Sequence, residues 1–133
     1  MVIDSSIAMS WCFPDERTPE SRRIFRSLSK ESALAPAHFY LEVASVLLIA
    51  EGRARISRSQ SDQFIRLLSG LPIEVDGATN VFEHVVPLGR IHGQTSYDAA
   101  YLELAVRRRE PLATLDNDLR NAALALGVKV LGA

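Results

Sequence analysis

The sequence predicts a single α/β domain built on a mostly parallel sheet with helices on both faces. Two observations carry this. Short apolar runs suited to buried strands, at residues 2–3, 33–36, 73–75, 111–115 and 128–131, alternate with segments of helical spacing. Strands separated by helices need crossover connections, which favour parallel pairing with both faces covered. The chain has 133 residues, 47% of them hydrophobic and 23% charged, which suits one core and one domain spanning residues 1–133.

The elements follow in order. Val2-Ile3 reads as a buried first strand. Asp4-Ser5-Ser6 offers a cap for a helix through Ile7 and Trp11 that Pro14 ends. Thr18-Pro19 opens a second helix, with Ile24, Phe25 and Leu28 at helical spacing. A strand at 33–36 precedes a long helix from about 39 to 52, apolar on most sides, which predicts burial or a subunit contact. A further helix starts near Ser59 or Ser61 and stops at Gly70. After the strand at 73–75, residues 79 to 91 read as one helix with Val81, Phe82, Val85, Leu88 and Ile91 on one side, closed by His92-Gly93. Thr95 or Ser96 caps the next helix, which runs to an arginine cluster. The strand at 111–115 leads through Asp116-Asn117-Asp118 into a last helix over 119–126, and 128–131 is the final strand.

Charge and cysteine content exclude several classes. The formal net charge of -1 is not that of a strongly basic nucleic-acid binder, so any RNA contact must come from local patches. The single cysteine, Cys12, forbids an internal disulfide and makes a reducing cytosol the default; core packing as a small hydrophobe is its expected role. The N-terminus lacks the features of a signal peptide, and the apolar run 43–50 is far below the roughly 20 residues a membrane span requires. The protein is expected in the cytoplasm. His38, His84 and His92 are too scattered for a zinc motif, and neither a Gly-rich phosphate loop nor a Gly-x-Ser-x-Gly elbow occurs.

Four acids stand out: Asp4 after the first strand, Glu42 beside an apolar helical run, Asp98 in the first turn of a helix, and Asp116 after the fourth strand. The plain reading is capping, since acids at helix N-termini gain roughly 0.3–1 kcal/mol from unpaired amides and the helix dipole. The functional reading uses topology. Parallel open sheets bind ligands beyond the carboxyl ends of their strands, where strand order reverses. Carboxylates gathered there repel one another, and a hard divalent cation such as Mg²⁺ relieves the conflict.

Val2-Ile3-Asp4-Ser5-Ser6 resembles the opening motif of PIN domains. Ala35-Pro36 followed by Leu41-Glu42-Val43-Ala44 resembles the second motif, Ser96 to Leu102 the third, and Leu112-Ala113-Thr114-Leu115-Asp116 the fourth. The four stand in family order over nearly the whole chain, and among PIN domains they are most similar to VapC toxins of VapBC toxin–antitoxin pairs. The resemblance implies a three-layer α/β/α sandwich with sheet order 3-2-1-4-5. It implies a Mg²⁺- or Mn²⁺-dependent endoribonuclease whose metal-binding, catalytic acids are Asp4, Glu42, Asp98 and Asp116. Ser6 and Thr114 match supporting hydroxyls, and Asp118 matches a position of variable acidity. It further implies a VapB-type antitoxin partner, an RNA substrate (transfer RNA most often) and a homodimer, for which the apolar helix at 43–50 is a candidate surface, with plain core as the alternative. Rival readings are a PIN-like binding module with weak or no nuclease activity, and a receiver-like phosphoacceptor, which would need paired acids after the first strand. The arginines at 22, 23 and 26, at 53, 55 and 58, and at 107 to 109 read as solvated faces or helix ends, or as holders of RNA phosphates.

Overall fold

The computed structural model describes residues 1–132. Five parallel strands form one sheet in the order β3-β2-β1-β4-β5, where β1 is Val2–Ile3, β2 Ala33–Pro36, β3 Ile73–Asp76, β4 Leu112–Ala113 and β5 Val130–Leu131. Successive strand side chains point to opposite faces. Val2, Ile3, Leu112 and Ala113 are all fully buried, so helices cover both faces at the centre, as the sequence predicts. β1 and β4 lie side by side with Ile3 opposite Ala113, which sets the residues that follow them, Asp4 and Thr114, next to each other.

The helices start where short polar side chains satisfy free amides. α1 (Ser5–Cys12) is capped by Asp4, whose carboxylate accepts from the Ile7 amide. α2 (Pro19–Ser27) and α4 (Arg58–Ser69) open with reciprocal capping boxes, Thr18 with Ser21 and Ser57 with Gln60. α4 thus begins one residue before the earlier of the two serines expected from sequence. α3 (Phe39–Gly52) follows β2 directly. α6 (Ser96–Arg108) is capped by Thr95, and α7 (Asn117–Ala125) by Asp116.

Three expectations need correction. The segment 79–91 is not one helix: a π turn, Val81–Val85, precedes a short α5, Val86–His92. Pro87 is the reason. It has no amide to donate to the preceding turn, and the Val86 amide instead reaches back to Val81. The supposed apolar side is largely solvent-facing, with Val81, Phe82 and Ile91 exposed and only Val85 fully buried. β4 and β5 are two residues each, shorter than expected, although the Thr114 amide still donates to the Leu131 carbonyl. Cys12 is only partly buried, and burial raises its thiol pKa. α3 divides its apolar surface: Val43, Leu47 and Ala50 enter the core, as the burial reading expects, whereas Leu41, Leu48 and Ile49 face outward. Among the described residues no helix is long and apolar enough to cross a membrane.

Candidate active site

Asp4 is the best-defined group at the carboxyl edge of the sheet. Its side chain is 4% exposed. The Ser6 hydroxyl donates to Oδ1 at 2.6 Å and the Thr114 hydroxyl to Oδ2 at 2.5 Å. Each hydroxyl has only one proton, so its direction must be fixed from its other side. The backbone does this. The Leu115 amide donates to Ser6 Oγ at 2.9 Å, and the Asp116 amide donates to Thr114 Oγ1 at 3.0 Å. Two polarised relays therefore run from the loop after β4 into one carboxylate, with the Ile7 amide adding a third donor at 3.1 Å. Even so, burial dominates and raises the Asp4 pKa to about 6, against the lowering effect of the hydroxyls and the amide; the charge of Asp116 adds a small upward push.

The other acids arrive on separate elements. Asp116 accepts from the Leu119 amide as the cap of α7, and its side chain is exposed. Asp98 stands in the first turn of α6, where the Thr95 hydroxyl accepts from its amide. Burial, then the charges of Asp116 and Glu42, raise the Asp98 pKa. Glu42, in the first turn of α3, is held by the Tyr101 hydroxyl at 2.5 Å from Oε1, with His38 Nε2 at 3.3 Å. Partial burial pushes its pKa up, but hydrogen bonds from His38 and Tyr101 outweigh this and lower it. Tyr101 is fully buried, and burial together with the Glu42 charge keeps its phenol protonated as a permanent donor.

The four acids thus come from four elements and lie within electrostatic reach of one another in a chain, Asp4 with Asp116, Asp116 with Asp98, Asp98 with Glu42. Ser6 and Thr114 meet Asp4. Asp118 lies exposed in the first turn of α7, and no hydrogen bond or ion pair draws it toward the others among the described residues. No three His, Cys, Asp or Glu side chains among the described residues already converge on a point that would hold an ion. In chemistry, however, the donor set fits a hard divalent cation: oxygen-only, negatively charged, and with two of its acids pushed toward protonation by burial and mutual repulsion.

Two residues of this region escaped the sequence reading as site residues, His38 and Tyr101. His38 Nε2 donates to the Tyr97 carbonyl at 3.0 Å, and its ring lies between those of Tyr97 and Tyr101, at centroid distances of 5.5 and 5.2 Å. It joins the N-terminus of α3 to that of α6. The available signal was helical spacing: His38 lies four residues before Glu42, and Tyr101 three after Asp98.

The arginine clusters divide differently from expectation. Arg107 and Arg108 do not merely decorate a helix end. Arg107 pairs with buried Asp76 and Glu103 at 3.1 and 2.7 Å, and Arg108 with Asp76 at 2.9 Å. Arg55 pairs with Asp15 and Glu16 and lies 3.7 Å above the Phe13 ring. Arg22 and Arg26 border a pocket of about 300 Å³ beside Trp11 and Phe25.

Fold and site together define a doubly wound α/β domain with four carboxylates in electrostatic reach of one another, two of them following β1 and β4. Residues 1–124 match the PIN domain model, and the chain belongs to the PIN domain family, whose members are in general metal-dependent nucleases. The fold is similar to the crystal structure of PAE2754 from Pyrobaculum aerophilum, with a TM-score of 0.75 and 18% identity over 97% of this chain and 81% of that one. No curated protein sequence matches the chain.

Proposed function

We propose that this protein is a divalent-metal-dependent endoribonuclease and the toxin of a VapBC-type pair. The observation that supports the reading best is the set Asp4, Glu42, Asp98 and Asp116, carried by four elements and within electrostatic reach of one another, with His38 the basic side chain beside them. These residues would hold Mg²⁺ or Mn²⁺. When bound, such an ion supplies a more acidic water and offsets charge on a phosphate.

The chain's own residues do the rest. Ser6 and Thr114 fix the orientation of Asp4 through their backbone-anchored hydroxyls. Tyr101 and His38 orient Glu42. Asp98 and Asp116 keep part of their surface toward solvent, where a phosphodiester can approach. The ends left would be 5′-phosphate and 3′-hydroxyl, as the family resemblance implies. The outward apolar face of α3, with Leu41, Leu48 and Ile49, suits a homodimer contact, and a small antitoxin is the expected second partner.

The test is RNA cleavage by protein freed of any partner, with Mg²⁺ or Mn²⁺ and with EDTA. EDTA should stop cleavage, and Asp98→Asn should abolish it with little change in unfolding free energy. Full activity of Asp98→Asn, contaminating nuclease excluded, would sink the assignment. Neither cleavage nor metal-linked stabilisation would favour the binding-module alternative.

A further inference from the structure

Beside the acids lies a second feature, a cavity of about 240 Å³ between the end of β2, the loop after β3 and the start of α6. Its walls include Pro36, Val81, Val85 and Ala100, with His38 and Tyr97 as aromatic groups. Whole-ligand pockets are typically about 300–1,000 Å³. This one is smaller and suits a single ring system.

We infer that this cavity is a subsite for one unstacked RNA base next to the scissile phosphate. The inference rests on reading the acids as a phosphodiester-cleaving site. Position is the first argument. His38 is at once a wall of the cavity and, through Nε2, 3.3 Å from Glu42 Oε1. One side chain therefore separates the cavity from the candidate metal-binding acids, which is the spacing that adjoining parts of one nucleotide need.

The second argument is the chemistry of the walls. Tyr97 is 60% exposed, yet its residue is not loose: its carbonyl takes the His38 hydrogen bond and its ring rests against His38. An aromatic plane offered to solvent but braced from behind gives stacking area at little entropic cost, which is how single-stranded RNA bases are held. The Ser96 hydroxyl, also on the wall, has no hydrogen-bond partner among the described residues and is free to meet a base edge. Asp76 borders the cavity too, but its charge is spent on Arg107 and Arg108, so it does not repel a nucleotide. Thr79 is the other polar wall, with its hydroxyl bonded to Glu103 and Arg107, and the remaining walls are mostly apolar, which favours a base face over a phosphate.

The experiment titrates the partner-free protein in EDTA with a short single-stranded RNA whose bases are removed one position at a time. One abasic position should weaken binding to the wild-type protein about fivefold or more, the effect of one lost stacking contact. The same position should be silent with Tyr97→Ala, while Tyr97→Phe, which keeps the stacking plane, should behave as wild type. With Mg²⁺ present, KM for Tyr97→Ala should rise by a similar factor and kcat should move less. Wild-type protein that cleaves RNA but shows no abasic position effect, or an abasic loss that persists undiminished in Tyr97→Ala, overturns the subsite and leaves the nuclease reading intact. Protein that neither binds nor cleaves RNA overturns both.

Discussion

Removing the charge of Asp4 should free the metal-free protein of a loss of stability between acid and neutral pH whose size the burial of its carboxylate sets. In the unfolded chain the group ionises near 3.8, and in the folded protein near 6. Between these values the folded state holds the proton and the unfolded state does not. The contribution of Asp4 to stability is therefore greatest below pH 4 and falls as pH rises toward and through 6, then levels off. The gap corresponds to about 3 kcal/mol. Asp4→Asn has no such slope. Its amide meets the Ser6 and Thr114 hydroxyls with a worse hydrogen-bond match, because both hydroxyls already donate toward this position, but that penalty does not vary with pH. The quantity to measure is thus the difference between variant and wild type in urea unfolding free energy, in EDTA, from pH 4 to 7.5. Groups common to both proteins cancel in that difference. It should move in favour of the variant by about 2.5 kcal/mol, the part of the gap that lies above pH 4. Parallel stability curves would refute the reasoning, since they would mean that the carboxylate is solvated or holds its ordinary pKa. Mg²⁺ at pH 7 should stabilise the wild type and not the variant.

Other perturbations test neighbouring parts of the account. Tyr101→Phe keeps the buried ring and removes only the donor to Glu42; RNA cleavage and Mn²⁺ binding by calorimetry should both weaken, with no further loss when the change is added to Glu42→Gln. Arg107→Ala strips Glu103 of its cation, leaving the Thr79 hydroxyl, and Asp76 of one of its two cations, and should cost roughly 2–4 kcal/mol in urea unfolding. The same network keeps the Asp76 pKa near 2, mainly through Arg107 and then the Ala78 amide; its contribution is present above about pH 4 and is lost as pH falls toward 2, a limb that Arg107→Ala should flatten. Ser61 has a buried hydroxyl with no partner among the described residues, and Ser61→Ala should stabilise the protein by about 1 kcal/mol, measured by thermal or urea unfolding.

Much of the fold was legible because local signals agreed with it. Thr18-Pro19, Asp116 and Gly93 mark helix ends by mechanisms that act within one turn, and the structure uses each as expected. The π turn was not legible from apolar spacing, because Val81, Val85 and Leu88 keep a helical period while Pro87 withholds the amide that a regular helix needs there. The role of the arginines at 107 and 108 was hidden for a different reason. Their partner Asp76 ends β3, and nothing in the intervening 30 or so residues announces that β3 and the end of α6 meet. His38 and Tyr101 were missed for the same reason, since each acquires its meaning from a residue on another helix.

The choice that sequence left open at Asp4, between helix cap and ligand for a cation, narrows once its surroundings are known. A cap needs one oxygen and one amide, and works as well at the surface as inside. Asp116 is such a case in geometry, exposed and bonded to the Leu119 amide. Asp4 also caps its helix, but it does so 4% exposed, with two hydroxyls turned onto its two oxygens by two backbone amides. Those relays hold a negative charge in one orientation and still leave its pKa near 6. Capping alone returns at most about 2 kcal/mol, less than the burial costs. A cation shared with Asp98 and Asp116 would remove that deficit, and the same ion would remove the repulsion that raises Asp98. One such occupant would offset the burial cost of Asp4 and the repulsion at Asp98 together, which capping of separate helices would not.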